Sequence, residues 1–155
     1  MRTHPDDWAG TVRALFITQT TGAPLEEVTA VRAVAGAGLE GDRHFNAAGA
    51  APDEQLTLVA REAIEAANRE HGLALGLGDT YRNVLTEGVP LNALVGREFT
   101  VGEVRARGIE LCEPCARLQQ LTGKPVIKAL VHRGGLRAEI LAGGTIRAGD
   151  AVRPG

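Results

Sequence analysis

The sequence predicts a mainly β protein, a barrel or strongly curved sheet with peripheral helices. Three observations carry that expectation. Short runs with strand-like patterning recur along the chain. Twenty glycines punctuate them, which implies tight turns and close backbone approaches. Only one stretch, residues 60–71, carries sustained helical periodicity. Many short strands, glycine turns and few helices fit a closed or strongly curved sheet.

Residues 1–10 read as a loose lead-in, and 11–155 as a single domain, the default for 155 residues. The first strand is expected over 12–18, then a turn with Gly22 and Pro24, and a second strand over 28–34. A glycine-punctuated loop, 36–44, ends in Asp42-Arg43-His44. Its G-x-G-x-x-G spelling is no dinucleotide fingerprint, because no helix follows it. A strand over 55–59 leads into the helix, whose stripe is Ala63, Ile64 and Ala67. Arg61 and Glu65 pair at i,i+4, and Gly72 stops it. Strands are expected over 81–86, 98–101 and 103–111, with a helical turn over 91–95. A second helix is expected over 126–132, with Val126, Leu130 and Val131 on its apolar face. A strand over 136–141, a hairpin turn at Gly143-Gly144, and strands at 145–147 and 151–153 finish the sheet.

The totals exclude several classes. A net charge of -2 argues against a nucleic-acid surface or a polybasic membrane anchor. An aromatic content of 3% gives little for base stacking. No apolar run reaches membrane-spanning length, and the first residues hold no signal-peptide core. Two cysteines without a secretory segment fit a reducing, cytoplasmic setting. Of the 17 basic residues only Lys124 and Lys128 are lysines. Such an arginine excess reflects genomic base composition or a need for forked donors toward phosphate and oxyanions.

Both cysteines lie in Leu111-Cys112-Glu113-Pro114-Cys115-Ala116-Arg117. Residues 117–121 read as a short helix stopped by Gly123 and Pro125. Pro114 suits its first position, which puts Cys115 in the first turn, where a thiolate is favoured. Arg117 adds positive charge and Glu113 opposes it. Cys115 is therefore a candidate reactive thiol or soft-metal ligand. The competing reading is inert burial, common for free cysteine. One C-x-x-C is half of a zinc site, and no second pair or H-x-x-x-H completes it. A redox C-x-x-C would need a βαβ setting that this half of the chain lacks.

Five motifs occur in order: Gly41-Asp42-Arg43-His44; Arg82-Asn83 before Gly88-Val89-Pro90-Leu91; Pro114-Cys115; Arg133-Gly134-Gly135-Leu136-Arg137; and Gly143-Gly144-x-Ile146-x-x-Gly149-Asp150. Together they resemble the MOSC domain, named for the C-terminal domain of molybdenum cofactor sulfurase. The resemblance spans about residues 11–153.

It implies a MOSC-like β-barrel and a role in molybdenum-cofactor or sulfur-transfer chemistry. Cys115 would be the persulfide acceptor or the molybdenum ligand. Asp42, Arg43, His44, Arg82, Asn83, Arg133 and Arg137 would bind the cofactor, a molybdopterin with a phosphate and a polar pterin edge. The arginines offer bidentate donors, and Asp42 and Asn83 orient them or bond the pterin. The counter-reading for each arginine is a surface salt bridge. Relatives are fused to a pyridoxal-phosphate-dependent desulfurase or to redox domains. The 155 residues leave room for neither, so the chain is expected either to act alone on a bound cofactor or to borrow a partner, a cysteine desulfurase or redox protein. Three functions stay open: a cofactor-binding or sulfur-carrier domain; a cofactor-dependent reductase of N-hydroxylated compounds with an external electron donor; and a non-catalytic binding module. Cys112 has no role in the motif. Arg43, Arg82, Cys115 and Arg133 are expected to line one cleft.

Overall fold

Eleven strands and three helices follow one another in the computed structural model, which describes residues 6–155. The strands are β1 (Gly10–Ile17), β2 (Glu26–Val28), β3 (Ala30–Val34), β4 (Gly38–Leu39), β5 (Leu56–Ala60), β6 (Val84–Glu87), β7 (Glu98–Val101), β8 (Val104–Leu111), β9 (Leu136–Ala142), β10 (Gly144–Arg147) and β11 (Ala151–Pro154). The helices are α1 (Arg61–His71), α2 (Ala116–Thr122) and α3 (Val126–Leu130). Seven strands close a barrel in the order β11-β7-β8-β9-β5-β6-β1, and β1 returns to β11 through Gly10↔Val152 and Thr11↔Ala151. Strand β2 extends the sheet beyond β1, and β10, β3 and β4 form a separate three-stranded sheet. The mainly β barrel with peripheral helices matches the expectation from sequence.

Alternation along β5 and β6 builds two cores, because successive side chains point to opposite faces. Leu58 and Val84 face the barrel interior with Phe99, Leu136 and Val152. Val59 and Leu85 face outward, where Ile64 and Ala67 of α1 and Leu130 of α3 cover them. Burial on both sides explains why β5 and β6 carry so few polar residues. Helix α1 forms as expected: Arg61 Nε lies 2.8 Å from Glu65 Oε1, and Gly72 ends it with φ 62°.

Several local expectations change. Trp8 packs on the core and Gly10 already belongs to β1, so this end of the expected lead-in is part of the fold; residues 1–5 lie outside the described residues. The strand expected over 28–34 is two strands in two sheets, split at Thr29. Strand β6 starts at Val84 rather than Tyr81, because Tyr81 has φ 60°, a left-handed conformation no strand accepts. Helix α3 stops at Leu130, and Val131, with extended ψ, is exposed. Gly143-Gly144 is no hairpin: β9 pairs with β5 and β8, whereas β10 pairs with β3. The chain changes sheets there, and a Cβ on Gly143 would press on the Ala33 carbonyl oxygen.

Candidate functional site

A cleft of about 200 Å³ opens between the Asp42–His44 loop, the strands β5 and β9, and the Cys112–Cys115 segment with α2. Arg43, Arg82, Arg117 and Arg137 line it, with Glu54 as the carboxylate among the lining residues. Both cysteines border it, and both are free thiols.

Arg43, Arg82 and Arg137 are each placed by a different device. Asp42, buried at the end of the glycine-rich loop, accepts from Arg43 Nη1 at 3.1 Å and from the Thr18 N–H at 3.2 Å. Arg43 Nη2 also donates to the Tyr81 carbonyl at 3.3 Å, so the left-handed turn at Tyr81 aims an acceptor at this side chain. Arg82 is buried at the floor. Its three guanidinium nitrogens donate to the carbonyls of Gly134 (2.9 Å), Thr80 (3.1 Å) and Cys112 (2.9 Å). No carboxylate is among these partners. Burial pulls Arg82 below its ordinary value, while the thiols of Cys112 and Cys115 act in the opposite sense. Arg137 Nη1 donates to the Asp53 carbonyl at 3.3 Å from the far side.

The Gly134-Gly135 pair lets these parts meet. A Cβ on Gly134 would sit 2.5 Å from the Cys112 carbonyl oxygen, and one on Gly135 would strike the Leu58 carbonyl oxygen. Gly134 offers its carbonyl to Arg82, and Gly135 accepts from the Cys112 N–H at 2.7 Å. Glu113, between the cysteines, is held by His132: its Oε1 accepts the backbone N–H at 2.7 Å, and its Oε2 lies 2.9 Å from Nδ1.

Cys115 is the N-cap of α2, with extended φ/ψ of -128° and 171°. Its carbonyl accepts the Gln119 N–H at 3.0 Å, and the helix begins at Ala116, two residues after the first position expected at Pro114. Pro114 therefore precedes the cap instead of occupying the first helical position. Cys115 is exposed, so inert burial does not describe it.

His44 lines the exposed edge of the cleft, and its pKa is lowered, first by partial burial of the ring and then by Arg43, with Asp42 opposing. Asn83 borders the cleft, but its side chain is committed to the fold. Its oxygen accepts from the Thr57 N–H and hydroxyl at 3.3 and 3.0 Å, and its nitrogen donates to the Phe16 carbonyl at 3.1 Å. Asn83 thus ties β5 to β1 and does not orient an arginine. Arg133 departs from expectation. It does not line this cleft; its Nε donates to the Ala129 carbonyl at 2.8 Å and its Nη2 pairs with Glu70 at 2.7 Å. That hydrogen bond and charge hold the Glu70 carboxyl below its usual range. Arg117 and Cys112 join the lining instead; both belong to the cysteine-bearing run but to none of the five ordered motifs.

Among the described residues, no three His, Cys, Asp or Glu side chains come together as a metal centre. The cleft itself offers a thiol and an array of cations.

The MOSC domain family model matches residues 40–153. The chain belongs to the MOSC domain family. The domain is thereby one of a family associated with the molybdenum cofactor. Its fold is that of the YuaD protein of Bacillus subtilis, with a TM-score of 0.79 at 16% identity over 94% of this chain and 96% of that one. The YiiM protein of Geobacillus stearothermophilus is similar at TM-score 0.75 and 15% identity, over 94% and 75% of the two chains. YiiM of Escherichia coli gives 0.66 and 19%, over 94% and 69%. No curated protein sequence matches the chain. Among the described residues of this MOSC domain, no helix is long and apolar enough to cross a membrane.

Proposed function

We propose that this MOSC domain is a sulfur-carrier and molybdenum-cofactor-binding domain, in which the cleft arginines hold an anionic part of the cofactor and Cys115 is the sulfur-accepting or metal-ligating thiol. One observation carries the reading: an accessible thiol stands at the rim of a cleft with four guanidinium groups and one carboxylate.

The donor set suits the group. Guanidinium forks match phosphate oxygens, and a thiolate is soft enough for molybdenum and for sulfane sulfur. The cleft is smaller than the roughly 300–1,000 Å³ that encloses a drug-sized ligand. It therefore suits one charged end of a cofactor better than the whole. When bound, the cofactor supplies redox chemistry at its metal. The chain's own residues do the rest. Asp42 aims Arg43, Arg82 provides a fixed buried charge, and Cys115 presents sulfur to a partner. A persulfide needs a donor, so the partner class is a cysteine desulfurase, and a free-thiol domain of this kind belongs in a reducing compartment such as the cytoplasm.

The test is Cys115→Ser, purified from its own source beside the parent protein. Loss of persulfide labelling and molybdenum content at an unchanged melting temperature supports the reading. Unaltered labelling and metal content sink it.

A further inference from the structure

We propose that Cys112 is a second sulfur site, which takes a sulfane sulfur from Cys115 by transpersulfidation and keeps it at the floor of the cleft beside Arg82. The proposal rests on the reading of Cys115 as a sulfur acceptor.

The two thiols border one cleft at different depths. Cys115 is exposed, where a donor protein can reach it, and Cys112 is 2% exposed. Cys112 is clamped on both sides, its N–H on the Gly135 carbonyl and its carbonyl on Arg82 Nη2. That second bond puts the guanidinium against the residue. Arg82 has five N–H groups, and the three carbonyls named above take one each, with no carboxylate to balance its charge. A buried cation without a counter-ion is costly. A persulfide is a stronger acid than a thiol, so sulfur loaded on Cys112 brings the missing anion to that spot.

Both thiols line the same cleft, and neither helix nor strand spans residues 112–115 between them. A disulfide needs Cα atoms about 4.4–6.8 Å apart. In a transfer, the attacking and leaving sulfurs flank the moving one and stand roughly 4 Å apart rather than ~2 Å, so a wider Cα separation is tolerated. The Cys112 sulfur attacks the outer sulfur of the Cys115 persulfide and releases its own proton into the cleft. One S–S bond forms, the other breaks, and Cys115 leaves as a thiolate that takes up a proton. The sulfane sulfur keeps its oxidation state, so no oxidant or reductant is consumed. The initial sulfur comes from a persulfide or polysulfide donor.

The experiment is a brief pulse of inorganic polysulfide on the full chain, followed by gel filtration, alkylation and peptide mass spectrometry. Fragmentation at the Glu113–Pro114 bond separates the two cysteines. In the parent protein the added sulfur should appear first on Cys115 and later on Cys112. Cys112→Ser, with Cys112→Ala as a second variant should the first fold poorly, should leave it on Cys115, where cyanide strips it about tenfold faster because access governs such exchange. Cys115→Ser should load Cys112 only slowly. Sulfur that stays on Cys115 in the parent protein, or Cys112 loading as fast in Cys115→Ser as in the parent, overturns the relay while Cys115 remains an acceptor. Sulfur on neither cysteine overturns the acceptor reading and the relay with it.

Discussion

Asp42 Oδ1 lies 3.1 Å from Arg43 Nη1, with the Asp42 carboxylate almost fully buried and the guanidinium nearly so. The same oxygen takes the Thr18 N–H just beyond the end of β1, so a neighbouring strand sets where this arginine points. Asp42→Asn keeps the volume but removes the charge. It should cost about 1–3 kcal/mol, the usual range for a buried hydrogen bond to a charged group. The melting temperature should then drop by roughly 2–10 °C. Calorimetric titration with inorganic phosphate should show weakened binding in the cleft, and unchanged binding would mean that Arg43 does not contribute.

Arg82 and Arg133 should behave oppositely on replacement by alanine. Arg82→Ala orphans three buried carbonyls and should cost several kcal/mol, or prevent folding, on the basis of about 1–3 kcal/mol for each unsatisfied group. Arg133→Ala breaks a partly exposed pair with Glu70 and should leave phosphate binding and sulfur loading unaltered. Denaturant melts of both variants, with phosphate titration of the second, make the comparison.

His44 gives the protein an acid-side sensitivity. Its folded-state pKa lies below the ordinary value of 6.5, so the unfolded chain binds the proton more readily. The contribution to stability is complete above pH 6.5 and is lost as pH falls through the lower folded value. His44→Gln should flatten this part of the stability profile, measured by urea denaturation at a series of pH values. A bound anion next to the ring should raise the histidine pKa, visible by NMR titration with and without phosphate.

Gly135 has φ +120°, and a Cβ there would collide with the Leu58 carbonyl oxygen. Gly135→Ala should lose stability on the order of 3 kcal/mol or more, through strain and a displaced β5. Circular dichroism melts decide this, and a melting temperature within a degree of the parent would show that the segment relaxes freely.

The glycine-rich turns, the apolar strand runs and α1 were legible because each rests on local pattern. The site was legible only as a set of ordered motifs. Asn83 shows why. Its partners Thr57 and Phe16 arrive on other strands, 26 and 67 residues away, and no spacing near Asn83 announces them. Arg133 sits beside the glycine pair that builds the site, yet its side chain turns back along α3 to Ala129 and across to Glu70 on α1. Sequence adjacency gave no direction. Gly143-Gly144 spelled a hairpin, but register with β3 decided the outcome.

The barrel is fastened by a short seam. β1 meets β11 through only Gly10↔Val152 and Thr11↔Ala151, reinforced by the Val12 N–H on the Asp150 carbonyl at 2.8 Å. These residues come from opposite ends of the described chain, so the seam carries the largest loop-closure entropy of any pairing in the barrel. It should form late in folding and fray first under load, as a zip does at its last teeth. The arginine cleft is built on β5, β9 and the Cys112–Cys115 segment, away from that edge. A domain whose ends part before its middle can be tugged, tethered or relinked at those ends while the thiol stays where it is.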